Sequence, residues 1–247
     1  GMNVGDEYLG RNPNYGFWRD THLKLEGPAV LQLQRIFAED WYYATGEDLA
    51  GDRREEFFPP PRECGDVCAQ VVAGAPHGDV RVFETLLFLA VNEAEEQVQI
   101  ATSYFVPPES LVTALEAAAY RGVRVRVLVG GPPTRFWTVL AARSYYDTLL
   151  QAGVEVYEYR KGMLHSKTLS VDGQWCLVGS VNFDSRSLLL NFEAAVAMHD
   201  SRLTRQLDES FQQDLRDAIR VDPEAWSRRP RSHVLGEDFF RLFAPLL

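Results

Sequence analysis

The stretch VRVRVLV at residues 123–129 constrains the fold more than any other part of the chain. Val123, Val125, Val127 and Val129 fall on one face of a strand, because strand side chains alternate with a period of two. The neighbouring segments set its context. Residues 108–121 read as a helix, with prolines at its start and Gly122 just past its end. A second helix is expected from about 135 to 152, closed by Gly153, and VEVYEY follows as another strand. AQVVA and QVQIATSYF read as strands, 83–94 and 201–219 as helices, and FEAAVAM as a late strand. Strands and helices in this alternation predict an α/β sandwich, a mixed β-sheet flanked by helices.

Within that plan, HSKTLSVDGQWCLVGSVN at residues 165–182 stands out. Asp172-Gly173 is a two-residue hairpin signal, since both turn positions need positive φ. Folding on that turn sets Val171 opposite Gln174, Leu169 opposite Cys176, Lys167 opposite Val178 and His165 opposite Ser180. His165, Lys167, Ser180 and Asn182 then converge where the hairpin opens. A lysine ammonium and an asparagine amide donate to anionic oxygens. A neutral imidazole attacks phosphorus or carries a proton near neutral pH. The set points to a phosphodiester handled without metal, and no cofactor is expected.

Composition narrows the classes. The chain has 247 residues, is 46% hydrophobic and carries a net charge of −10. That charge argues against a nucleic-acid partner, which needs a basic footprint. No run approaches the roughly 20 apolar residues of a membrane span, and no signal peptide is visible. Cys64, Cys68 and Cys176 form no framework, so free thiols in a reducing compartment are expected. The expected location is cytoplasmic, or peripheral at an inner membrane.

Residues 51–65, around the run PPP, read as a linker. Residues 1–50 resemble the end of the unit at 66–247. RDTHLKL reads as a strand and PAVLQLQRIFAEDW as an amphipathic helix, much as FEAAVAM precedes the helix at 201. Phe37-x-x-Asp40 matches Phe211-x-x-Asp214, Asn3 corresponds to Asn182, and Asp20 to Glu193. The chain reads as the tail of one repeat followed by a complete second one.

The pattern His165-x-Lys167-x4-Asp172-x6-Gly179-Ser180-x-Asn182 resembles the HKD motif of the phospholipase D superfamily. The surrounding text, including YFVPPESLVTALEAAAYRGVRVRVLVGG, GSVNFDSRSLLLNFE and RLFAPLL, is similar to bacterial cardiolipin synthases. The resemblance implies a phosphatidyltransferase or phospholipase D acting on glycerophospholipid phosphodiesters through a phosphohistidine. In that family two HKD halves meet, one histidine attacking phosphorus and the other protonating the leaving alcohol. This chain carries only the second motif, so the resemblance implies a partner: the missing N-terminal HKD half, or a second copy in a homodimer. The rival readings are a stand-alone single-HKD phosphodiesterase and a non-catalytic interaction module.

By the same resemblance His165 is the catalytic imidazole, Lys167 and Asn182 hold the phosphoryl oxygens, and Ser180 lies beside the phosphate. Glu193 is expected to orient His165 by accepting its second ring N–H. Asp172, at the turn, and Gly179 are assigned to structure. Asn3 and Asp20 belong to the first-repeat remnant. The loop PPTRFW after VLVGG departs from the family's more polar pattern and is expected to border the site. The apolar tail DFFRLFAPLL is read as a packed terminal segment, with peripheral membrane contact as its alternative.

Overall fold

The protein is described here from a computed structural model covering residues 5–51, 53–62, 64–76, 81–132 and 134–244. Asn3 lies outside these described residues. After a 3-10 turn at Asp6–Leu9 come β1 (Phe17–Arg19), α1 (Val30–Thr45) and the short α2 (Arg54–Phe57). Then follow β2 (Cys68–Gly74), α3 (Val82–Asn92), β3 (Gln97–Thr102), β4 (Phe105–Val106), α4 (Glu109–Tyr120) and β5 (Arg124–Gly130). The middle of the chain forms α5 (Phe136–Arg143), α6 (Tyr146–Ala152), β6 (Glu155–Tyr159), β7 (Gly162–Leu164), β8 (Thr168–Val171) and β9 (Trp175–Gly179). It closes with β10 (Phe183–Asp184), α7 (Ser185–Leu189), β11 (Glu193–His199), α8 (Ser201–Arg216), β12 (Ala218–Arg220), α9 (Pro223–Ser227) and α10 (Arg231–Arg241).

Among the described residues eight strands form one mixed sheet, in the order β12-β6-β5-β3-β8-β9-β11-β2. β3, β5 and β6 are parallel neighbours, joined through α4 and through α5 and α6, since parallel strands need long crossovers. The remaining pairs are antiparallel. The expected α/β sandwich with a mixed sheet is the architecture found. Val123, Val125, Val127 and Val129 all enter one core, with Phe83, Leu115 and Tyr146 from the helices on that face. On the other face α8 covers the sheet, with Phe211 against Leu128 and Leu203 and Leu207 against Cys176 and Val178.

Four expectations about elements need correction. The helix expected over 135–152 is two helices. It breaks where the Ser144 hydroxyl donates back to the Ala141 carbonyl at 2.7 Å and Tyr145 turns into the core against Phe105. The helix expected to reach residue 219 stops at Arg216, because Ala218–Arg220 pairs with β6 instead. RDTHLKL is a strand only up to Arg19; its remainder crosses the sheet face, with Leu23 and Leu25 packed beside Val178 and Val196.

The fourth correction concerns the hairpin. Asp172 and Gly173 do take positive φ, 52° and 63°. Gln174 nevertheless joins the turn. Its N–H donates to the Val171 carbonyl at 3.0 Å, and its own carbonyl accepts from Asp200 N–H at 3.0 Å. The ladder therefore slips by one, pairing Val171 with Trp175, Leu169 with Leu177 and Thr168 with Val178. Lys167 faces Gly179, whose N–H donates to its carbonyl at 3.3 Å.

Candidate active site

The catalytic candidates gather at one edge of the sheet. β3 and β9 end there, and antiparallel pairing makes β8 and β11 begin there. His165 and Lys167 precede β8, Ser180 and Asn182 follow β9, and Glu193 opens β11. A cleft of about 520 Å³ is lined by His165, Lys167, Gly179, Ser180 and Asn182. β9 and β11 form its floor through Val178 and Ala194–Val196, and the N-terminal segment adds a wall that includes His22, Leu23, Leu25 and Leu33.

That segment reaches the site through β1, which adds in parallel to β7, Arg19 opposite Leu164. The Arg19 carbonyl accepts from His165 N–H at 2.6 Å. Arg19 is itself anchored to α8, with Nε 2.6 Å from Asp214 Oδ1 and a terminal nitrogen 2.6 Å from Ser210 Oγ. The next residue, Asp20, places Oδ2 2.8 Å from His165 Nδ1. Glu193, expected there, is absent from that contact. It accepts from Ser180 Oγ and, at 3.1 Å, from Asn191 Nδ2. The reason is positional: Glu193 begins β11 on the far side of Ser180 and opens onto a separate cavity beside Ile36 and Tyr43 of α1. His165, Lys167, Ser180 and Asn182 thus share one cleft, while Glu193 faces another.

Burial opposes ionisation of Asp20, but the hydrogen bond and charge of His165 act against it, and its pKa lies below the ordinary value. An ionised carboxylate only accepts. In the neutral imidazole the Asp20 contact therefore assigns the ring proton to Nδ1 and leaves Nε2 with a lone pair. Trp18 closes one side of the ring, its centroid 5.0 Å from that of the imidazole, with Tyr8 tilted against the indole at 4.4 Å.

Lys167 donates to the His165 carbonyl at 2.6 Å and to Ser103 Oγ at 2.9 Å. Burial lowers its pKa to about 8. Asn182 Nδ2 is 3.4 Å from Ser187 Oγ, while its Oδ1 is buried with no partner among the described residues. Asp184, two residues on, caps α7 through Ser187 N–H at 2.6 Å, and burial raises its pKa to about 6. Ser180 is committed to Glu193 and to the Ala194 backbone.

The two motif residues assigned to structure sit as follows. Asp172 accepts from the backbone N–H groups of Glu95, Glu96 and Gln97 at 2.7–2.9 Å, tying the hairpin to the start of β3. A Cβ at Gly179 would collide with Ala195 Cβ and the Ala194 carbonyl, so only glycine lets β9 approach β11 there. Among the described residues no group of three or more His, Cys, Asp or Glu is arranged to hold a metal. The sequence reading passed over Ser103, Trp18 and His22. The WRDTH run held a detectable signal, since it packs an indole, a carboxylate and an imidazole into five residues.

A family profile described as "Cardiolipin synthase, PLD-like domain" matches residues 87–215. A cardiolipin synthase of Geobacillus kaustophilus is 42% identical over all of this chain and 49% of its own length. One from Clostridium perfringens is 37% identical over all of this chain and 52% of its own. The chain belongs to the cardiolipin synthase family of the phospholipase D superfamily. It spans about half the length of the cardiolipin synthases it matches. Among solved structures, the phospholipase D family member Nuc from Salmonella typhimurium superposes with a TM-score of 0.54 at 23% identity, covering 63% of this chain and 99% of Nuc. Phosphatidylserine synthase of Haemophilus influenzae gives 0.56 at 19% identity, covering 73% of this chain and 48% of its own. These two establish the phospholipase D fold. Within that fold, the cleft of this cardiolipin synthase relative lies at the sheet edge where His165 and Lys167 meet Ser180 and Asn182, while Asp172 sits at the other end of the hairpin.

Proposed function

We propose that this chain is the second catalytic half of a cardiolipin synthase-type phosphatidyltransferase, acting on glycerophospholipid phosphodiesters. The observation that carries the reading is the His165–Asp20 pair at 2.8 Å in a cleft shared with Lys167 and Asn182. Its Nε2 lone pair suits nucleophilic attack on phosphorus, and its protonated form suits delivery of a proton to a leaving alcohol. Lys167 and Asn182 provide a cation and an amide where phosphoryl charge develops.

The reaction proceeds in two displacements. A histidine Nε2 forms a bond to phosphorus, the phosphorus–oxygen bond to the head-group alcohol breaks, and a second imidazole gives that alkoxide its proton. The same second imidazole then takes the proton of an incoming hydroxyl, whose oxygen displaces the phosphohistidine. Cardiolipin carries two phosphatidyl groups on one glycerol, so the incoming hydroxyl belongs to a glycerol head group. Attack and departure occur on opposite faces of phosphorus, so one ring cannot serve both. The second imidazole comes from another HKD half, and Glu193 is the carboxylate awaiting it, as Asp20 serves His165.

The test is turnover of a short-chain phosphatidyl donor by this chain, alone and with an added N-terminal half from a relative. Turnover only in the mixture, abolished by His165→Ala, supports the reading. Full turnover per chain at a monomeric dilution, without the added half, would contradict it.

A further inference from the structure

Helix α10 is apolar on two sides. Its inner side packs on α5, where Phe240 meets Phe136 edge to face at 5.7 Å between centroids. Its outer side carries Leu235, Phe239 and Leu242 at i, i+4 and i+7, one helical stripe. These are 71%, 54% and 76% exposed. Phe136 and Phe243 extend the stripe at 63% and 43%, and Phe239 touches both Phe240 and Phe243. Monomeric proteins rarely leave so continuous an apolar surface open without a use.

The charges around the stripe identify its occupant. The chain as a whole is −10, yet exposed Arg135 and Arg231 flank the stripe against a single exposed acid on α10, Asp238, while Arg241 turns inward over the Tyr145 ring at 4.6 Å. Glu237 is buried and engaged by Arg229 at 3.0 Å. Aromatic and aliphatic groups bordered by arginines match an interface of acyl chains and anionic head groups.

The position fits as well. α5 follows the end of β5, at the sheet edge where the cleft opens, and the Thr134 hydroxyl before it lies 3.6 Å from Met163 Sδ, two residues from His165. No described helix is long and apolar enough to cross a membrane, so this contact would be with the bilayer surface.

We infer that the outer face of α10, with Phe136 and the flanking arginines, is a docking surface for an anionic lipid bilayer. It presents the cleft edge to the membrane. The inference does not depend on the catalytic reading, because binding is measured without turnover.

The experiment is co-sedimentation of this chain with vesicles of phosphatidylcholine alone or mixed with phosphatidylglycerol, at low and high salt. The chain is expected to bind the mixed vesicles and to release at high salt. A Leu235→Asp/Phe239→Asp variant is expected to bind at least tenfold more weakly, and Arg231→Glu to lose most of the salt-sensitive part. Arg35→Glu, on α1 and outside the cleft, should bind as the parent does, which separates this surface from a general loss of positive charge. Circular dichroism checks the folding of each variant, and Leu242→Asp, at the most exposed position of the stripe, provides a second variant. Parental binding by both apolar variants, or no binding by the parent, would overturn the inference. So would a chain whose self-association, rather than vesicle binding, is lost in these variants, since the face would then fit a second copy.

Discussion

The sequence pattern sets Asp20 against Glu193, yet in the structure the two carboxylates do different work. Asp20 reaches His165, 145 residues later in the chain, at 2.8 Å. Glu193, only 28 residues after His165, turns from it to Ser180 and Asn191. The carboxylate near in sequence is therefore not the one that serves the imidazole. A strand added at β7 brings in a carboxylate from the N-terminal segment, and the contrast teaches that sheet pairing, not closeness in sequence, selects the partner of the imidazole.

Breaking the first of these contacts should have the largest effect. Asp20→Asn presents an amide in place of a carboxylate acceptor and disfavours the tautomer that exposes Nε2. By analogy with other oriented histidines it should lower turnover in the reconstituted enzyme by roughly 10²–10⁴-fold. The pH dependence has a definite sign. The folded pKa of Asp20 lies below its ordinary value, so its stabilising contribution is present above the ordinary carboxylate range and is lost as pH falls through the lowered value. Glu193→Gln should leave chemistry at His165 nearly unchanged in a single-turnover assay, while reducing the steps assigned to the partner's histidine. Equal losses from both substitutions in that assay would erase the distinction.

Lys167 and Asp184 sharpen the comparison in energetic terms, as a buried cation and a buried anion within electrostatic reach of each other. Burial lowers Lys167 from 10.5 to about 8. The unfolded chain then binds the proton more tightly, so stability rises as pH climbs from about 8 towards 10.5, and the buried cation costs about 3 kcal/mol at neutral pH. Lys167→Met should therefore stabilise the fold at pH 7 while greatly weakening substrate binding. In the parent, KM should rise above pH ~8, where the ammonium loses its proton. Asp184 is raised from 3.8 to about 6, so stability falls as pH rises through that window, again by about 3 kcal/mol. Asp184→Asn keeps an acceptor at the cap of α7 and should flatten that slope in thermal melts between pH 4 and 7.

The smallest effect is steric. Gly179→Ala forces a methyl group into Ala195 and should destabilise by about 1–3 kcal/mol, measured in urea, with little change at His165 beyond that loss.

Much of this was legible in the sequence because period and turn chemistry are local. The valines of β5, the glycines ending α4 and α6, and the positive φ of Asp172 and Gly173 follow from neighbours in the chain. The hairpin register was not legible, because it depends on Gln174 being held by Asp200 from another strand–helix junction. The break before α6 depends on Tyr145 finding the core. The partner of His165 was misread for the same reason. The family resemblance after the motif favoured Glu193, whereas β1–β7 pairing, a contact across most of the chain, selects Asp20. Ser180 lines the cleft as expected, but the bond of its hydroxyl to Glu193 depends on the start of β11 and was not legible.

The central claim, that Asp20 and not Glu193 holds His165, is tested most directly by the ring-nitrogen spectrum of His165 in long-range ¹H–¹⁵N correlation experiments, which need neither substrate nor partner. The parent should show a protonated Nδ1 and a free Nε2, unchanged in Glu193→Gln and shifted towards Nε2–H in Asp20→Asn. A tautomer that changes with Glu193→Gln and ignores Asp20→Asn would contradict the account.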